Sequence, residues 1–372
     1  MHLVFLIKSL DTNGGGAERV LVDVTRGLAG RGHRVTVVTY DKPGSSTFYP
    51  LDPDIQQIGL GIGRPRAGAG FLETALRIRA LHQTLRRLSP DVAIAFMHSA
   101  YIPLAISLAR TGIPVVASEH ISWDHYLTRP LQRFLLRIST PLFTRMTIMS
   151  ARIREGFPPA IRELMVEVPN PVARLGEADR SQTMTGLEAP KRILSVGRLE
   201  PQKDHRTLVA AFSQLAPEFP DWTLRIVGEG ALRPLLQEQV AALGLEGRVE
   251  MPGATQDIAA EYQSAAMFVL PSLYESFGLV TAEALSLGLP AIGFADCAGT
   301  NELIRHRENG LLVEGDDRVS ALADAMRALI RFPGLRAELA ARGPASVEKF
   351  ASDRVAESWE NLLLTVSREG TA

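Results

Sequence analysis

Two carboxylates, Glu275 and Glu283, stand eight residues apart in the run ESFGLVTAE, with an apolar, glycine-containing segment between them. The residues before them, MFVLPS (Met267–Ser272), read as a strand ending in a turn, so a helix opens near Gly278 directly after a strand. The first amides of such a helix, those of Phe277, Gly278, Leu279 and Val280, have no acceptor inside it, and the helix dipole adds positive potential there. That is a place for an anion, and Gly278 permits close approach. Glu283 lies about 7–8 Å further along the axis at ~1.5 Å per residue, so the two acids cannot serve one reacting atom. They suit the two ends of an elongated ligand with negative charge in its middle, which is the shape of a sugar–diphosphate–nucleoside. A plainer alternative makes Glu275 a partner of the helix dipole and Glu283 an exposed helix residue.

Other polar groups fall at similar strand ends. SVGRLEPQKD carries Arg198 and Lys203 on one loop after a strand, where a planar fork and a mobile point charge could converge on one anion. NGGGAERV follows the first strand and opens a helix, so its backbone amides can approach an anion. A dinucleotide fingerprint is a weak match, because Arg19 occupies the position where close helix packing needs Gly or Ala. Asp41, after the second strand, could imitate a ribose-binding acid. In ASEHISWDH, Glu119 and His120 end a strand, and His120 could bond a hydroxyl, move a proton or be structural. Metal binding has little support: Asp52–Asp54 form a D-x-D around a proline that points to a turn, and no cysteine–histidine cluster of zinc type exists.

The elements that must position these groups alternate. Strands are expected at Leu3–Lys8, Arg34–Tyr40, Asp91–Phe96 and Pro114–Ser118, with helical patterns between them. A polar stretch without periodicity follows VPNPV (Val168–Val172) and reaches Leu187–Lys191, the best linker candidate. The rhythm then restarts, with strands at Arg192–Gly197, Trp222–Gly228, Arg248–Gly253, Met267–Ser272 and Pro290–Phe294. Strand and helix alternating twice around a central break predict an α/β protein of two doubly wound parallel sheets. The boundaries expected are 1–172, 173–350 and a final helical segment, 351–372, packing back on the first domain through Trp359, Leu362 and Leu363. A length of 372 residues suits two domains. One cysteine, Cys297, excludes an internal disulfide and fits a reducing cytoplasm. The opening run reads as a strand and not a signal peptide, and no stretch suits a spanning helix.

The net charge of −1 hides an asymmetry. Residues 1–172 hold 20 Lys+Arg against 13 Asp+Glu, and the remainder 20 against 28, so +7 and −8 sum to −1. A basic first half suggests an anionic partner such as a membrane surface, a phosphorylated lipid or nucleic acid. Two segments could carry it. RPLQRFLLR sets Arg129, Arg133 and Arg137 beside Leu131, Phe134, Leu135 and Ile138, and FLETALRIRALHQTLRRL carries Arg77, Arg79, Arg86 and Arg87. Either can lie on an anionic bilayer or grip a lipid pyrophosphate; the bland reading of each is a solvated helix face packed on its own sheet.

Taken in order, GGGAERV…RGHRVTVV, SEH, VPNPV, SVGRLEPQKD, LRIVGEG, ESFGLVTAE and NELIRHRENGLLV resemble the family 4 glycosyltransferases of the GT-B fold, through almost the whole chain. The form of GGGAER and SEH is similar to bacterial enzymes that build exopolysaccharides and lipid-linked oligosaccharides. The resemblance implies two Rossmann-like domains across a cleft, with the acceptor on the N-terminal one and a nucleotide-sugar donor on the C-terminal one. It implies that Arg198 and Lys203 bind the diphosphate, Glu275 the donor sugar's hydroxyls and Glu283 the ribose. It places His120 near the donor sugar, Gly15 and Gly16 near the phosphates, and Pro252–Gly253 around the base. Transfer is then metal-independent and retaining, with no cofactor, a UDP-sugar as first choice, and a hexose or N-acetylhexosamine moved to a lipid-linked or polysaccharide acceptor. A cytoplasmic protein, peripheral on the inner membrane face and without a nucleic-acid partner, is expected. The competing readings are a sugar-nucleotide epimerase of similar plan, a Rossmann oxidoreductase and a non-catalytic nucleotide-sugar-binding protein.

Overall fold

The structure is a computed structural model and describes residues 1–11, 15–63, 70–172, 190–255 and 257–370. The chain forms two compact units, one of Met1–Pro171 with Ser352–Ala372 and one of Val172–Ala351. The polar stretch expected to join the halves lies, for residues 173–189, outside the described residues, as do Asn13 and Gly14 of the glycine-rich turn.

Near-continuous β-branched runs must be covered on both faces, and parallel sheets under helices do that. In the first unit the strands are β1 (His2–Leu6), β2 (Arg34–Thr39), β3 (Gln56–Gly59), β4 (Val92–Phe96), β5 (Val115–Ser118), β6 (Arg145–Ile148) and β7 (Met165–Glu167). They lie in the order β3-β2-β1-β4-β5-β6-β7, every pair parallel, with Leu3 opposite Val35 on one side and Val92 on the other. The second unit holds β8 (Arg192–Val196), β9 (Thr223–Val227), β10 (Val249–Gly253), β11 (Met267–Leu270), β12 (Ala291–Phe294) and β13 (Gly310–Val313). Their order is β10-β9-β8-β11-β12-β13, again all parallel. The expected pair of doubly wound sheets is therefore present. Each reverses its winding once, at β1/β4 and at β8/β11, and a crevice opens beyond the carboxyl ends of the strands at such a point.

The final helix, Ser352–Gly370, belongs to the first unit. It buries Trp359, Leu363 and Val366, and Trp359 stacks on Phe96 at 6.0 Å with an interplanar angle of 15°. Within the second unit Val172 bridges Ala351, so the chain enters and leaves that unit side by side.

Four strands had no clear signal. Gln56–Gly59 and Met165–Glu167 are short edge strands with polar residues, Arg145–Ile148 opens on a charge, and Gly310–Val313 is an apolar run too short for its period to decide.

Candidate functional site

Two loops flank the winding reversal of the second sheet, one after β8 and one after β11. They are tied together: Leu273 N–H donates to the Gln202 carbonyl at 2.9 Å, and Gln202 Nε2 donates to the Tyr274 carbonyl at 2.8 Å. That tie brings Lys203 Nζ into an ion pair with Glu275 Oε1, which also accepts from Ser272 Oγ at 2.7 Å. The pair is largely shielded, with side chains 13% and 9% exposed. Behind the loop, the Gly299 amide donates to the Glu275 carbonyl at 3.1 Å. A Cβ on Gly299 would lie 2.7 Å from that oxygen and 2.8 Å from Phe277 N, so the close approach requires glycine.

Gly278 sets the next element. Its φ of 78° is left-handed, and the helix Leu279–Ser286 starts from it. Thr281 and Ala282 N–H return to the Gly278 carbonyl at 2.8 and 3.2 Å. The amides of Phe277, Gly278, Leu279 and Val280 find no acceptor among the described residues, as a helix N-terminus implies. Glu283, read in one alternative as an exposed residue, is instead 1% exposed. Its Oε2 accepts from Tyr262 Oη at 2.9 Å, and that hydroxyl also reaches the Val280 carbonyl at 3.1 Å.

Arg198 and Lys203 do not share a partner here. Arg198 is 62% exposed and pairs with Glu200 at 3.0 Å, a surface contact that costs little to break. Pro252 and Gly253, expected in a loop, are instead the last residues of β10; Pro252 is exposed, and the Gly253 carbonyl accepts from Gly228 N–H at 2.9 Å.

In the first unit, Gly15 caps the helix Gly16–Gly30 after β1. Asp41 is not available to a ribose: it is buried and holds Ser9 Oγ at 2.6 Å and the Leu10 amide at 2.8 Å. His120 follows β5 and stacks on Phe96 at 4.9 Å. Thr147 Oγ1 donates to Ser118 Oγ at 2.9 Å, and Ser118 is 2.9 Å from His120 Nε2. Burial lowers the His120 pKa to about 4, so the ring is neutral near pH 7, with one nitrogen as donor and the other as acceptor. The adjoining Glu119 is buried and shapes this loop. It accepts from Tyr101 Oη at 2.6 Å, Tyr126 Oη at 2.5 Å, and the amides of His120 and Ile121 at 2.9 and 3.1 Å. Burial raises the Glu119 pKa, and these four donors oppose the rise.

Tyr262, Ser272, Gly299, Tyr101 and Tyr126 escaped the reading of the sequence. Ser272 stands three residues before Glu275, but nothing local marks the others. Arg77 needs correcting among the basic residues. It is 3% exposed, paired with Glu73 at 2.5 Å and set over the Tyr40 ring at 4.3 Å, so burial removes it from any surface role. Arg79, Arg86 and Arg87 on the helix Phe71–Leu88 are exposed. Asp54 N–H bonds Asp52 Oδ1 at 3.1 Å, a turn. Among the described residues no group of three or more His, Cys, Asp or Glu is placed to hold a metal ion, and no helix is long and apolar enough to cross a membrane.

Two Rossmann-like units of this strand order give the chain the GT-B fold of the solved structures it resembles. Residues 14–156 match the family model Glycosyltransferase Family 4, and residues 180–345 match Glycosyl transferases group 1. The chain belongs to the family 4 glycosyltransferases. It is 26% identical to an uncharacterized glycosyltransferase of Haemophilus influenzae, over 94% of this chain and 96% of that one. It is also 26% identical, over 98% of this chain and 99% of the other, to a Campylobacter jejuni protein. That protein is named GalNAc-alpha-(1->4)-GalNAc-alpha-(1->3)-diNAcBac-PP-undecaprenol alpha-1,4-N-acetyl-D-galactosaminyltransferase. Among solved structures, Anabaena HepE in complex with UDP-glucose superposes with a TM-score of 0.76 at 22% identity, covering 98% of this chain and 100% of that one.

Proposed function

We propose that the chain transfers a hexose or N-acetylhexosamine from a nucleotide-diphosphate sugar to a lipid-linked or polysaccharide acceptor, with retention at the anomeric carbon and without a metal ion. The observation that carries this is the set of free amides at Phe277–Val280 beside the Lys203–Glu275 pair, on the two loops that flank the β8/β11 reversal. Amides and Lys203, joined by the exposed Arg198, take the diphosphate; Glu275 takes a hydroxyl of the donor sugar. Glu283, steadied by Tyr262, turns to the ribose, and its burial requires a small outward movement when the nucleotide enters. Neutral His120 donates to a sugar hydroxyl. Gly15 and Gly16 belong to the first unit, which takes the acceptor. The name of the Campylobacter jejuni relative supports a lipid-pyrophosphate acceptor, and the UDP-glucose bound to HepE supports UDP as the first donor to try.

In the reaction, the bond between the anomeric carbon and the β-phosphate oxygen breaks and a nucleoside diphosphate leaves. The acceptor hydroxyl oxygen bonds the same carbon from the same face, and its proton passes to the departing phosphate oxygen. Negative charge grows on the diphosphate as the bond stretches, and fixed cations and amides stabilise that state more than the ground state.

A donor screen with UDP-, GDP- and ADP-sugars, read by thermal shift and by nucleotide release with acceptor, tests the reading. A nucleotide at 100 times its dissociation constant should stabilise the protein by ~2.7 kcal/mol. No stabilisation by any of the three would overturn it, and isolation of a glycosyl–enzyme adduct would overturn the same-face route. A new sugar isomer formed from donor alone would instead indicate epimerisation.

A further inference from the structure

Three loops at the carboxyl edge of the second sheet converge on Glu275. The loop after β8 brings Lys203 Nζ to its carboxylate, and the loop after β11 brings Ser272 Oγ to it at 2.7 Å. The loop after β12 brings the Gly299 amide to the Glu275 carbonyl at 3.1 Å. Loops are the least fixed parts of an α/β unit, yet a group that meets a reacting sugar must stand within a fraction of an ångström of its working place. The Gln202 bonds tie the first two loops to each other and leave the third unaccounted for.

Arg318 reaches all three. It is the first residue of the helix Arg318–Arg331, whose end is capped by Asp317, the acceptor of the Ser320 amide at 3.1 Å. The helix dipole disfavours a cation at that end, so an arginine there needs another reason. Its side chain supplies one by crossing to the sheet edge. The guanidinium lies over the Phe294 ring, 3.5 Å from the ring centre. Nη1 donates to Asp296 Oδ2 at 2.8 Å, in the loop after β12. Nη2 stands 3.4 and 3.5 Å from the carbonyls of Pro271 and Ser272, in the loop after β11. Nε is buried, has no hydrogen-bond acceptor among the described residues, and lies 3.9 Å from Asp204 Oδ2, beside Lys203 in the loop after β8. Asp204 has a left-handed φ of 49°, a conformation its surroundings must enforce.

We propose that Arg318 is a positioning residue, whose guanidinium holds the loops after β8, β11 and β12 in the arrangement that places the Glu275 carboxylate. It acts through those loops and not on the substrate. The planar fork is what the task needs, because its nitrogens diverge toward three segments at once while the plane rests on Phe294. A lysine could pair with Asp296 but would leave the carbonyls after β11 and the Asp204 carboxylate without a partner. Nothing local in DDRVSALADA marks this role. Its effect on turnover rests on the transfer reaction proposed above; its effect on the order of the loops does not.

The test compares Arg318→Gln, Arg318→Lys and the wild type by turnover and by hydrogen exchange. Arg318→Gln should lower kcat about thirtyfold, since misplacing a group at the reacting centre by about 1 Å costs up to ~100-fold. The thermal shift given by the nucleoside diphosphate alone should be retained. Arg318→Lys should melt as the wild type does and still turn over about tenfold more slowly. In a Ser272→Ala background, Arg318→Gln should cost less than about fivefold more, because both changes act on one carboxylate. Exchange of the Gly299 amide needs neither donor nor acceptor, and in both Arg318 variants it should quicken about tenfold while the amides of β8 exchange as before. Full turnover in Arg318→Lys, the same fold-loss with and without Ser272→Ala, or unchanged exchange at Gly299 overturns the proposal. If no donor supports turnover in the wild type, the transfer reaction fails and exchange at Gly299 alone decides the role of Arg318.

Discussion

Lys203→Met separates the structural from the chemical work of the Lys203–Glu275 pair. Both side chains are shielded, 13% and 9% exposed, and Ser272 Oγ also donates to the carboxylate, at 2.7 Å. Removing the cation leaves a shielded carboxylate with one neutral donor. Breaking a buried pair from one side costs about 3–5 kcal/mol, and the residual exposure puts this case near ~3. At roughly 2–4 °C per kcal/mol for a unit of this size, the melting temperature should fall by about 6–12 °C. Lys203→Met with Glu275→Gln removes both charges and should recover most of that loss, since replacing a whole pair is close to neutral. Thermal and urea melts of the two single variants, the double variant and the wild type give the coupling energy directly. Binding adds a second readout. Glu275→Gln frees Lys203 for phosphate, so the nucleoside diphosphate alone should bind at least as tightly as in the wild type while turnover falls severely. A Lys203→Met protein melting within about 1 °C of the wild type, or a double variant as unstable as the single, refutes the energetic argument. Weaker diphosphate binding in Glu275→Gln refutes the claim that the two partners compete for Lys203.

Two further outcomes follow from the same geometry. Because burial holds the His120 pKa at about 4, its neutral donor form persists down to that pH. The unfolded chain, with an ordinary histidine pKa near ~6.5, takes up the proton first, so His120 lowers stability as pH falls from about 6.5 toward 4. A pH–rate profile should show no His120 inflexion near neutrality; an inflexion near pH ~6.5 that disappears in His120→Asn would contradict the neutral charge given to the ring. Gly299→Ala should abolish turnover and loosen donor binding, because its methyl meets backbone at 2.7 Å and must displace the Glu275 loop; normal donor affinity in this variant would sink that reading.

Much of the scaffold was legible because it depends on local patterns. Runs such as RVTVVT form parallel strands that are buried on both faces, and the strand ends at Ser118, Val196 and Leu270 fall within a residue or two of where the residue pattern stops. The helix after Gly278 begins where glycine can adopt a φ of 78°, a requirement visible as a residue type. The edge strands were hidden because half of their residues face water and their composition resembles loop.

By itself the sequence determined the two parallel-sheet units, the family, the helix N-terminus that can take an anion and the excess of positive charge in the first half. Only tertiary structure decided the pairings: Lys203 with Glu275 across 72 residues, Tyr262 with Glu283 across 21, and Tyr101 and Tyr126 around Glu119. It also decided that Arg77 is buried under Glu73 and Tyr40 while Phe134 and its neighbours face outward. Periodicity states that a helix has an apolar face. Which way that face turns is settled by the neighbouring elements competing to cover the sheet, and that competition involves residues far apart in the chain.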